Sequence, residues 1–236
     1  MLKRRAATNA ASDVLPAFEL AVINARIEHA ATNCSEPCRL WIDIGTSQRT
    51  LTHWDVTHQT NLVVVGVDAL KSNVEHDSQP HTRRFVRVHG ACTPGSDSSV
   101  VLNMHRSVTC GSLLPTRANA PSVGSGRDAC IGDNPVPTRV PAFALATLLR
   151  LAVPRLARRV ELLKIDVQGA ELVCLQSAGR ELRHVDNILL EVQDADEASG
   201  QLMYDGTPTL AQLDLALASH GHERQYCEWN YCEWNC

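Results

Sequence analysis

The chain alternates between continuous apolar runs and amphipathic stretches over most of its length. The apolar runs are not broken by regular polar positions, and they read "LWIDIG", "NLVVVGVDA", "LLKIDVQ" and "ILLEVQ". Such runs are typical of strands that are buried on both faces of a parallel sheet. The amphipathic stretches predict helices, and they read "VLPAFELAVINARIEHA", "AFALATLLRLA", "GAELVCLQSA" and "TPTLAQLDLALASHG". Because parallel strands need helical crossovers, the alternation predicts an α/β fold, an open and mostly parallel sheet with helices on both faces.

Two weaker strands and one irregular segment complete the pattern. "RRFVRVHGACT" predicts a third strand, and "SSVVLNM" predicts an edge or hairpin strand. Residues 105–141 hold five of the eleven prolines and predict a long irregular insert. Inserts of this kind often form lids or binding loops, which makes this one a candidate substrate loop. We expect an N-terminal extension and helix over residues 1–36 and a single α/β domain over residues 37–236.

Charge and hydropathy exclude several classes of partner. The formal charge is −4, and the only concentrated basic run is Lys3-Arg4-Arg5. Duplex-binding proteins present a concentrated basic face, so we expect no nucleic-acid partner. No stretch reaches the roughly 18 apolar residues that a membrane span needs, so we expect no membrane span. We expect a cytoplasmic protein, although the basic, Ala-rich start would also suit an organelle transit peptide.

The cysteines are numerous and widely spread. The chain has nine of them, and an odd number leaves at least one thiol unpaired. Their wide spacing does not resemble a small secreted disulfide scaffold, so we expect free thiols in a reducing compartment. The tail "HGHERQYCEWNYCEWNC" repeats CEWN and combines histidine with cysteine. Its C-x4-C-x3-C spacing is not that of common zinc fingers, and we expect no metal site there.

Four predicted strands end in an acid, and these acids are Asp43, Asp68, Asp166 and Glu191. A carboxylate is costly to bury inside a sheet, but the carboxyl end of a strand faces the cleft where open α/β sheets bind ligands. Each acid alone would also suit a turn or a cap, whereas four together favour a shared cleft. Gly45 directly follows the first of these strands, where a glycine lets backbone N–H groups approach a ligand. Asp68 ends the next strand and is placed to accept hydrogen bonds from a ribose, which indicates a nucleoside-containing cofactor.

Several motifs together resemble one family of enzymes. The stretches "LWIDIGTS", "LLKIDVQGAELVCLQSAG", "ILLEVQ" and "MYDGTPTLAQLDLALASHGHE" occur in this order. They resemble the FkbM family of S-adenosylmethionine-dependent methyltransferases, which carries a V-D-I-G-A-N-type motif, a K-I-D-V-[EQ]-G-A-E motif and an L-E-V-type strand. The resemblance implies a Rossmann-like, seven-stranded methyltransferase fold with a terminal antiparallel hairpin. It also implies S-adenosylmethionine as cofactor and O-methylation of a hydroxyl on a sugar, a glycolipid or a small molecule.

The resemblance assigns roles to individual residues. The residues implied to bind the cofactor are Asp43, Gly45, Thr46, Ser47, Asp68, Ala69 and Asp166. Asp166 would lie beside the transferred methyl group. A hydroxyl acceptor benefits from a base within hydrogen-bond reach, and the candidate bases are Asp166, Glu191 and, from the irregular segment, His105. The charged Lys164 is tolerated within an apolar run because that strand ends in the cleft.

One departure from the family keeps a second hypothesis open. Arg49 stands where a second glycine is usual in the first motif, and its side chain could crowd the cofactor. The alternative is therefore a catalytically degenerate relative that acts as a binding or scaffold protein. An NAD-dependent oxidoreductase would need a fuller glycine fingerprint than "DIGTSQRT". The pattern requires no metal, although a carboxylate pair would also suit Mg²⁺, and it does not indicate an oligomeric state.

Overall fold

The computed structural model describes residues 17–94, 98–105, 109–117, 134–192, 202–228 and 231–236, with side chains from residue 20 onwards. The helices are α1 (Ala17–Ala31), α2 (His53–His58), α3 (Lys71–Val74), α4 (Leu145–Leu156), α5 (Glu171–Ala178) and α6 (Leu210–Ala218), with a 3₁₀ helix at Gly179–His184. The strands are β1 (Arg39–Ile44), β2 (Leu62–Asp68), β3 (Phe85–His89), β4 (Ala91–Cys92), β5 (Ser99–Met104), β6 (Val136–Phe143), β7 (Val160–Ile165), β8 (Val185–Glu191), β9 (Glu223–Glu228) and β10 (Tyr231–Asn235).

The main sheet has seven strands in the order β3-β2-β1-β7-β8-β10-β9. Strands β3, β2, β1, β7 and β8 are parallel, and β10 runs antiparallel to both of its neighbours. The strand order reverses between β1 and β7, where ligands bind in open α/β sheets. The predicted fold class is confirmed, including the terminal antiparallel hairpin.

The core lies on both faces of the parallel part of this sheet. All seven residues of β2 are buried, which explains why that strand reads as an unbroken apolar run. One large cluster of buried side chains joins the strands to helices α1, α4, α5 and α6. A smaller cluster on the other face joins Val56 of α2 to Leu62, Val64 and Phe85.

A second, three-stranded sheet corrects the prediction for residues 105–141. Strand β6 pairs antiparallel with β5 from Val136 to Pro141, and its last two residues pair parallel with β4. The prolines of β6, which predict irregular structure in the sequence, lie within a strand. They are tolerated because β4 covers only the end of β6, which leaves most of its other edge without a strand partner among the described residues. Residues 118–133 lie outside the described part of the chain.

Helix α1 packs onto the main domain. Its buried residues Ile23, Ile27 and Ala30 belong to the large core cluster, and the helix contacts α4 and β3. The boundary drawn at residue 36 stays a prediction.

The terminal hairpin completes the sheet. The second CEWN copy forms β10, which lies between β8 and β9. Trp234 is fully buried, and its indole nitrogen donates to the Asp214 carboxylate of α6 at 2.9 Å. Trp229 of the first copy lies outside the described residues.

The disulfides contradict the expectation of free thiols. The structure pairs Cys34 with Cys38, Cys92 with Cys174 and Cys227 with Cys232. Folding brings Cys92 and Cys174 together although 82 positions separate them, which spacing along the sequence cannot reveal. Cys236 is an exposed free cysteine. Disulfides persist mainly in oxidising compartments, so the expectation of free thiols is wrong for these six cysteines.

Two further features concern the described residues only. None of their helices is long and apolar enough to cross a membrane. They also contain no cluster of three or more His, Cys, Asp or Glu side chains arranged to hold a metal ion.

We predict that Trp234→Ala lowers the free energy of unfolding by about 3–5 kcal/mol, because it empties a fully buried aromatic site and removes the bond to Asp214. Urea denaturation measures this change. Trp54→Ala is the matched control, since Trp54 is 67% exposed and should cost much less. Equal losses in the two variants would contradict the packing described for β10.

Candidate active site

A cavity of about 210 Å³ opens at the carboxyl ends of the central strands. Gly45, Ser47, Asp68 and Ala69 line it from the turns after β1 and β2, and Asp166 lines it from the end of β7. The facing wall comes from the second sheet and the chain that follows it, and it contains Leu102, Thr109, Gly111 and Leu113. The cavity is therefore shared between the two sheets.

The turn after β1 needs a glycine. Gly45 has φ +80°, and a Cβ added to it would lie 1.8 Å from the carbonyl oxygen of Asp166. Backbone bonds fix the turn on both sides, from Gly45 N to Val67 O at 2.8 Å and from Asp166 N to Ile44 O at 3.0 Å. This close approach draws the ends of β1, β2 and β7 around one point.

A buried glutamine holds the loop that follows this turn. The Gln79 side-chain nitrogen donates to the Ser47 carbonyl at 2.9 Å and to the Thr46 hydroxyl at 3.3 Å, and its oxygen accepts from Thr50 N at 3.2 Å. Ser47 itself has φ +52°, a left-handed conformation that such contacts support. Thr46, predicted to bind cofactor, is buried under the loop and does not line the cavity among the described residues.

Arg49 does not crowd the cavity. Arg49 is exposed, and it is not among the described residues that form the cavity wall. The loop takes a route stabilised by Gln79, which directs the Arg49 side chain outwards. The structural reason for the degenerate alternative is thereby removed.

Asp68 lies at the end of β2 and binds the two adjacent turns. Its carboxylate accepts from Ser47 N and Leu70 N, both at 2.8 Å, and from the Asn73 side chain at 3.1 Å. Burial raises the pKa of Asp68, while these hydrogen bonds oppose the rise. The carboxylate is also on the cavity wall, so it can meet a ligand there.

A buried lysine links two of the predicted acids. The ammonium of Lys164 lies 3.1 Å from Asp43, 3.4 Å from Asp166 and 2.9 Å from the carbonyl oxygen of Gly45, to which it donates. Burial alone would lower the pKa of Lys164, but the two carboxylates outweigh it and the net shift is upwards. Asp43 is fully buried, also accepts from the Thr50 hydroxyl, and does not line the cavity among the described residues. Asp43 therefore supports the site through Lys164 and not by lining the cavity.

Asp166 is the centre of a second network. The Tyr231 hydroxyl donates to its carboxylate at 2.8 Å, and the Gln168 side-chain nitrogen donates both to Asp166 at 3.1 Å and to Glu191 at 2.8 Å. Burial would raise the pKa of Asp166, but Lys164 and hydrogen bonds from Glu191, Tyr231 and Gln168 lower it overall. Burial and the neighbouring Asp166 charge raise the pKa of Glu191 to about 9. The opposite shifts of the two pKa values favour the negative charge on Asp166 and the proton on Glu191.

Glu171 fixes the loop that carries Asp166 and Gln168. Its carboxylate accepts from Val167 N at 3.0 Å and from Gly169 N at 3.1 Å, and Gln168 between them adopts a left-handed φ of +56°. Complete burial raises the pKa of Glu171 to about 7. The motif "KIDVQGAE" thus encodes a tight turn closed by its own last residue.

The other two candidate bases lie away from the cavity wall. Among the described residues, neither Glu191 nor His105 lines the cavity. In the described part of the chain, Glu191 is connected to the cavity wall through the Gln168 side chain, which donates to both Glu191 and Asp166. His105 is buried, and its Nε2 lies 2.8 Å from the Thr116 hydroxyl.

Sequence reasoning missed three residues of the site. Gln168 stands inside the recognised motif, so its position was a usable signal. Tyr231 lies in the CEWN region, 65 positions from Asp166, and no local pattern connects the two. Gln79 lies in a polar stretch without any motif.

The family follows from the sequence match. Residues 50–229 match the Methyltransferase FkbM domain, which is more than half of the chain. The chain belongs to the FkbM methyltransferase family. It is an S-adenosylmethionine-dependent methyltransferase, because that cofactor is common to the family. No curated protein matches the chain.

Solved structures with low sequence identity show similarity to this FkbM methyltransferase. The aminoglycoside resistance methyltransferase NpmB1 is 11% identical with a TM-score of 0.43, and 90% of this chain and 93% of that one are covered. The antibiotic-resistance methyltransferase Kmr is 11% identical with a TM-score of 0.42 over the same shares of the two chains. Magnesium protoporphyrin IX methyltransferase from Synechocystis PCC 6803, with bound S-adenosylmethionine, is 10% identical with a TM-score of 0.38, covering 92% and 78%.

The cavity of this FkbM methyltransferase suits its cofactor in chemical terms. S-adenosylmethionine combines ribose hydroxyls, which need acceptors, with a cationic sulfonium and ammonium, which favour nearby carboxylates. The cavity wall offers carboxylates at Asp68 and Asp166, and at Gly45 it has no side chain that would fill the space.

We predict that Glu171 makes folding less favourable as the pH rises. In the folded protein its pKa of about 7 lies above the ordinary value of 4.5. The contribution of Glu171 to the free energy of unfolding is therefore fully present below pH 4.5 and is lost as the pH rises through 7. Relative to wild type, Glu171→Gln should gain free energy of unfolding between these pH values, on the order of 3 kcal/mol. Urea denaturation at a series of pH values measures the gain. Glu223→Gln, at an exposed residue, controls for loss of one charge, and an equal gain there would contradict the assignment.

Proposed function

We propose that this methyltransferase transfers a methyl group to a hydroxyl of a sugar, a glycolipid or another small molecule, with Asp166 as the proton acceptor. The observation that carries the proposal is the Asp166 carboxylate, which lies on the cavity wall and is held ionised by Lys164 and Tyr231. A hydroxyl acceptor must lose a proton during transfer, and a fixed carboxylate can receive it.

The cofactor would lie along the turns after β1 and β2. We assign Gly45 and Ser47 to backbone contacts, Asp68 and Ala69 to the ribose side, and Asp166 to the sulfonium side. The remaining two predicted residues, Asp43 and Thr46, act by holding the turn rather than by contact. Bound there, S-adenosylmethionine supplies an electrophilic methyl group on a positively charged sulfur.

The transfer step needs orientation more than strong basicity. Held by the turns after β1 and β2, the cofactor would supply its methyl group in line to the acceptor oxygen and keep the electrons of the broken carbon–sulfur bond, while Asp166 would receive the hydroxyl proton. As the new bond forms, the attacking oxygen becomes positively charged and its proton strongly acidic. A carboxylate with a lowered pKa can therefore still accept it.

Glu191 and Tyr231 both act on the Asp166 carboxylate and not on the acceptor. Glu191, with a pKa of about 9, remains protonated at neutral pH and donates towards Asp166, which keeps the negative charge on the carboxylate nearest the cavity. Tyr231 donates to Asp166 from β10. Neither group needs to contact the acceptor, and His105 has no part in this scheme.

The acceptor would enter from the second sheet. Leu102 and Leu113 form an apolar patch on that wall beside Thr109 and Gly111. A wall of this size and polarity suits a small molecule or one sugar unit of a glycan. The segment predicted as a substrate loop supplies Thr109, Gly111 and Leu113, which supports its assignment to the acceptor side.

The location proposed from the sequence also changes. The sequence predicts free thiols in a reducing compartment, whereas the structure contains three disulfides among the described residues. We place the protein in an oxidising compartment, where such bonds persist.

Cofactor binding provides the first test. Asp68→Ala should weaken S-adenosylmethionine binding by about tenfold to a hundredfold, because hydrogen bonds to a charged group contribute roughly 1.5–3 kcal/mol. Calorimetric titration measures the dissociation constant. Asp77→Ala, at an exposed acid outside the cavity, is the control. If neither wild type nor variant binds the cofactor, the scaffold alternative replaces this proposal.

Proton acceptance provides the second test. With a hydroxyl acceptor found by screening, Asp166→Asn should lower kcat by about 10²–10⁴-fold because the proton loses its acceptor. Tyr231→Phe removes a donor that stabilises the Asp166 charge, so the pKa of Asp166 should rise and the acidic limb of the kcat/KM profile should move to higher pH. Product formation over a pH series measures both effects.

Tyr226→Phe is the matched control for Tyr231, since Tyr226 lies on the neighbouring strand and is 54% exposed. Its pH profile should equal that of wild type. An unchanged acidic limb in Tyr231→Phe would contradict the role given to that hydroxyl. Methylation of amines but of no hydroxyl would contradict the acceptor class.

A further inference from the structure

A second, larger depression lies on the far side of α3 from the cofactor cavity. It has a volume of about 1100 Å³ and runs between α1, α3, the loop before β3 and β3 itself. Leu70 and Asn73 at α3 face the cofactor cavity, whereas Lys71 and Val74 line this depression. We refer to it as the α1–β3 groove.

The α1–β3 groove is strongly basic. Arg26, Lys71, Arg83 and Arg87 line it, and the only carboxylate among its described lining residues is Glu75. Glu75 lies 3.6 Å from Lys71, so it neutralises one of the four cations. Within the described part of the chain, three guanidinium groups without a paired carboxylate thus line one groove, on a chain with a net charge of −4.

Local contacts hold two of these arginines without neutralising them. Arg26 donates to the carbonyl oxygen of Arg87 at 2.8 Å, and Arg87 donates to the carbonyl oxygen of Pro80 at 3.2 Å. None of the three arginines forms an ion pair with a carboxylate in the described part of the chain. A guanidinium has five N–H donors, so each of the two retains donors for a ligand.

We propose that the α1–β3 groove binds a linear sulfated glycan. Its cations are spread along a depression too large for one small anion, which fits a chain that carries several anionic groups. Arginine forks bind oxyanions through paired hydrogen bonds, and the two arginines held by local contacts, Arg26 and Arg87, lose little entropy in doing so.

Two other polyanions fit the groove less well. Single-stranded nucleic acid needs aromatic surfaces for base stacking, and the only aromatic ring of Phe, Tyr or Trp among the lining residues is Phe85, which is 8% exposed. An acidic peptide added as a strand to β3, the edge of the main sheet, would compete with Arg26 for the Arg87 carbonyl. The disulfides also favour a compartment in which glycans are the available polyanions.

The test is fluorescence anisotropy of a labelled, fully sulfated oligosaccharide with the full-length protein at low salt. The variant Arg26→Gln/Arg83→Gln/Arg87→Gln removes the three cations. The matched control, Arg139→Gln/Arg158→Gln/Arg180→Gln, removes the same charge at exposed residues outside the groove. Arg83→Glu alone is a further variant, because no described contact of Arg83 is at risk. S-adenosylmethionine titration of each variant confirms an intact fold.

Wild type should bind the sulfated probe with a dissociation constant that rises with salt, and the groove variant should bind at least about tenfold more weakly. The control triple variant should stay within about twofold of wild type, and Arg83→Glu should fall between the two. Equal weakening by both triple variants would overturn the proposal. It would also be overturned by no binding of the sulfated probe, or by equal or tighter binding of the unsulfated oligosaccharide, a single-stranded RNA or a polyglutamate peptide.

Discussion

The buried ammonium of Lys164 is the interaction on which the site depends. It lies between the carboxylates of Asp43 and Asp166 and donates to the Gly45 carbonyl, so one side chain joins the ends of β1 and β7. Lys164 is 3% exposed and Asp43 is fully buried, so each charge would be costly there without the other. The turn at Gly45 and the ionised state of Asp166 both follow from this arrangement.

The same ammonium separates the roles of the acids. The charged form of Asp166 is favoured by Lys164 and Tyr231. Burial and the Asp166 charge favour the protonated form of Glu191. Two carboxyl groups in contact cannot both ionise cheaply, and the lysine determines which one does. Identical chemical groups at two strand ends thereby acquire different functions from their surroundings.

The parallel sheet and the place of the cleft could be predicted from the sequence because both follow from local patterns. Strand β2 is buried on both faces and therefore apolar throughout, and the acids at strand ends mark the ligand edge. Strand β6 was missed because its prolines resemble a loop, and only its place in the second sheet, where β4 covers just its last two residues, explains why they are tolerated. Tyr231 and the bond between Cys92 and Cys174 were missed because their partners are 65 and 82 positions away. Tertiary contacts between distant segments leave no local pattern to read.

The position of β10 in the sheet affects when the enzyme becomes competent during synthesis. This strand is made after β9, yet it inserts between β8 and β9. Until it emerges, β9 has no strand to pair with, and Asp166 lacks the Tyr231 hydroxyl. A nascent chain can assemble the five parallel strands and their cleft, but the Asp166 carboxylate acquires its Tyr231 donor only when β10 is added.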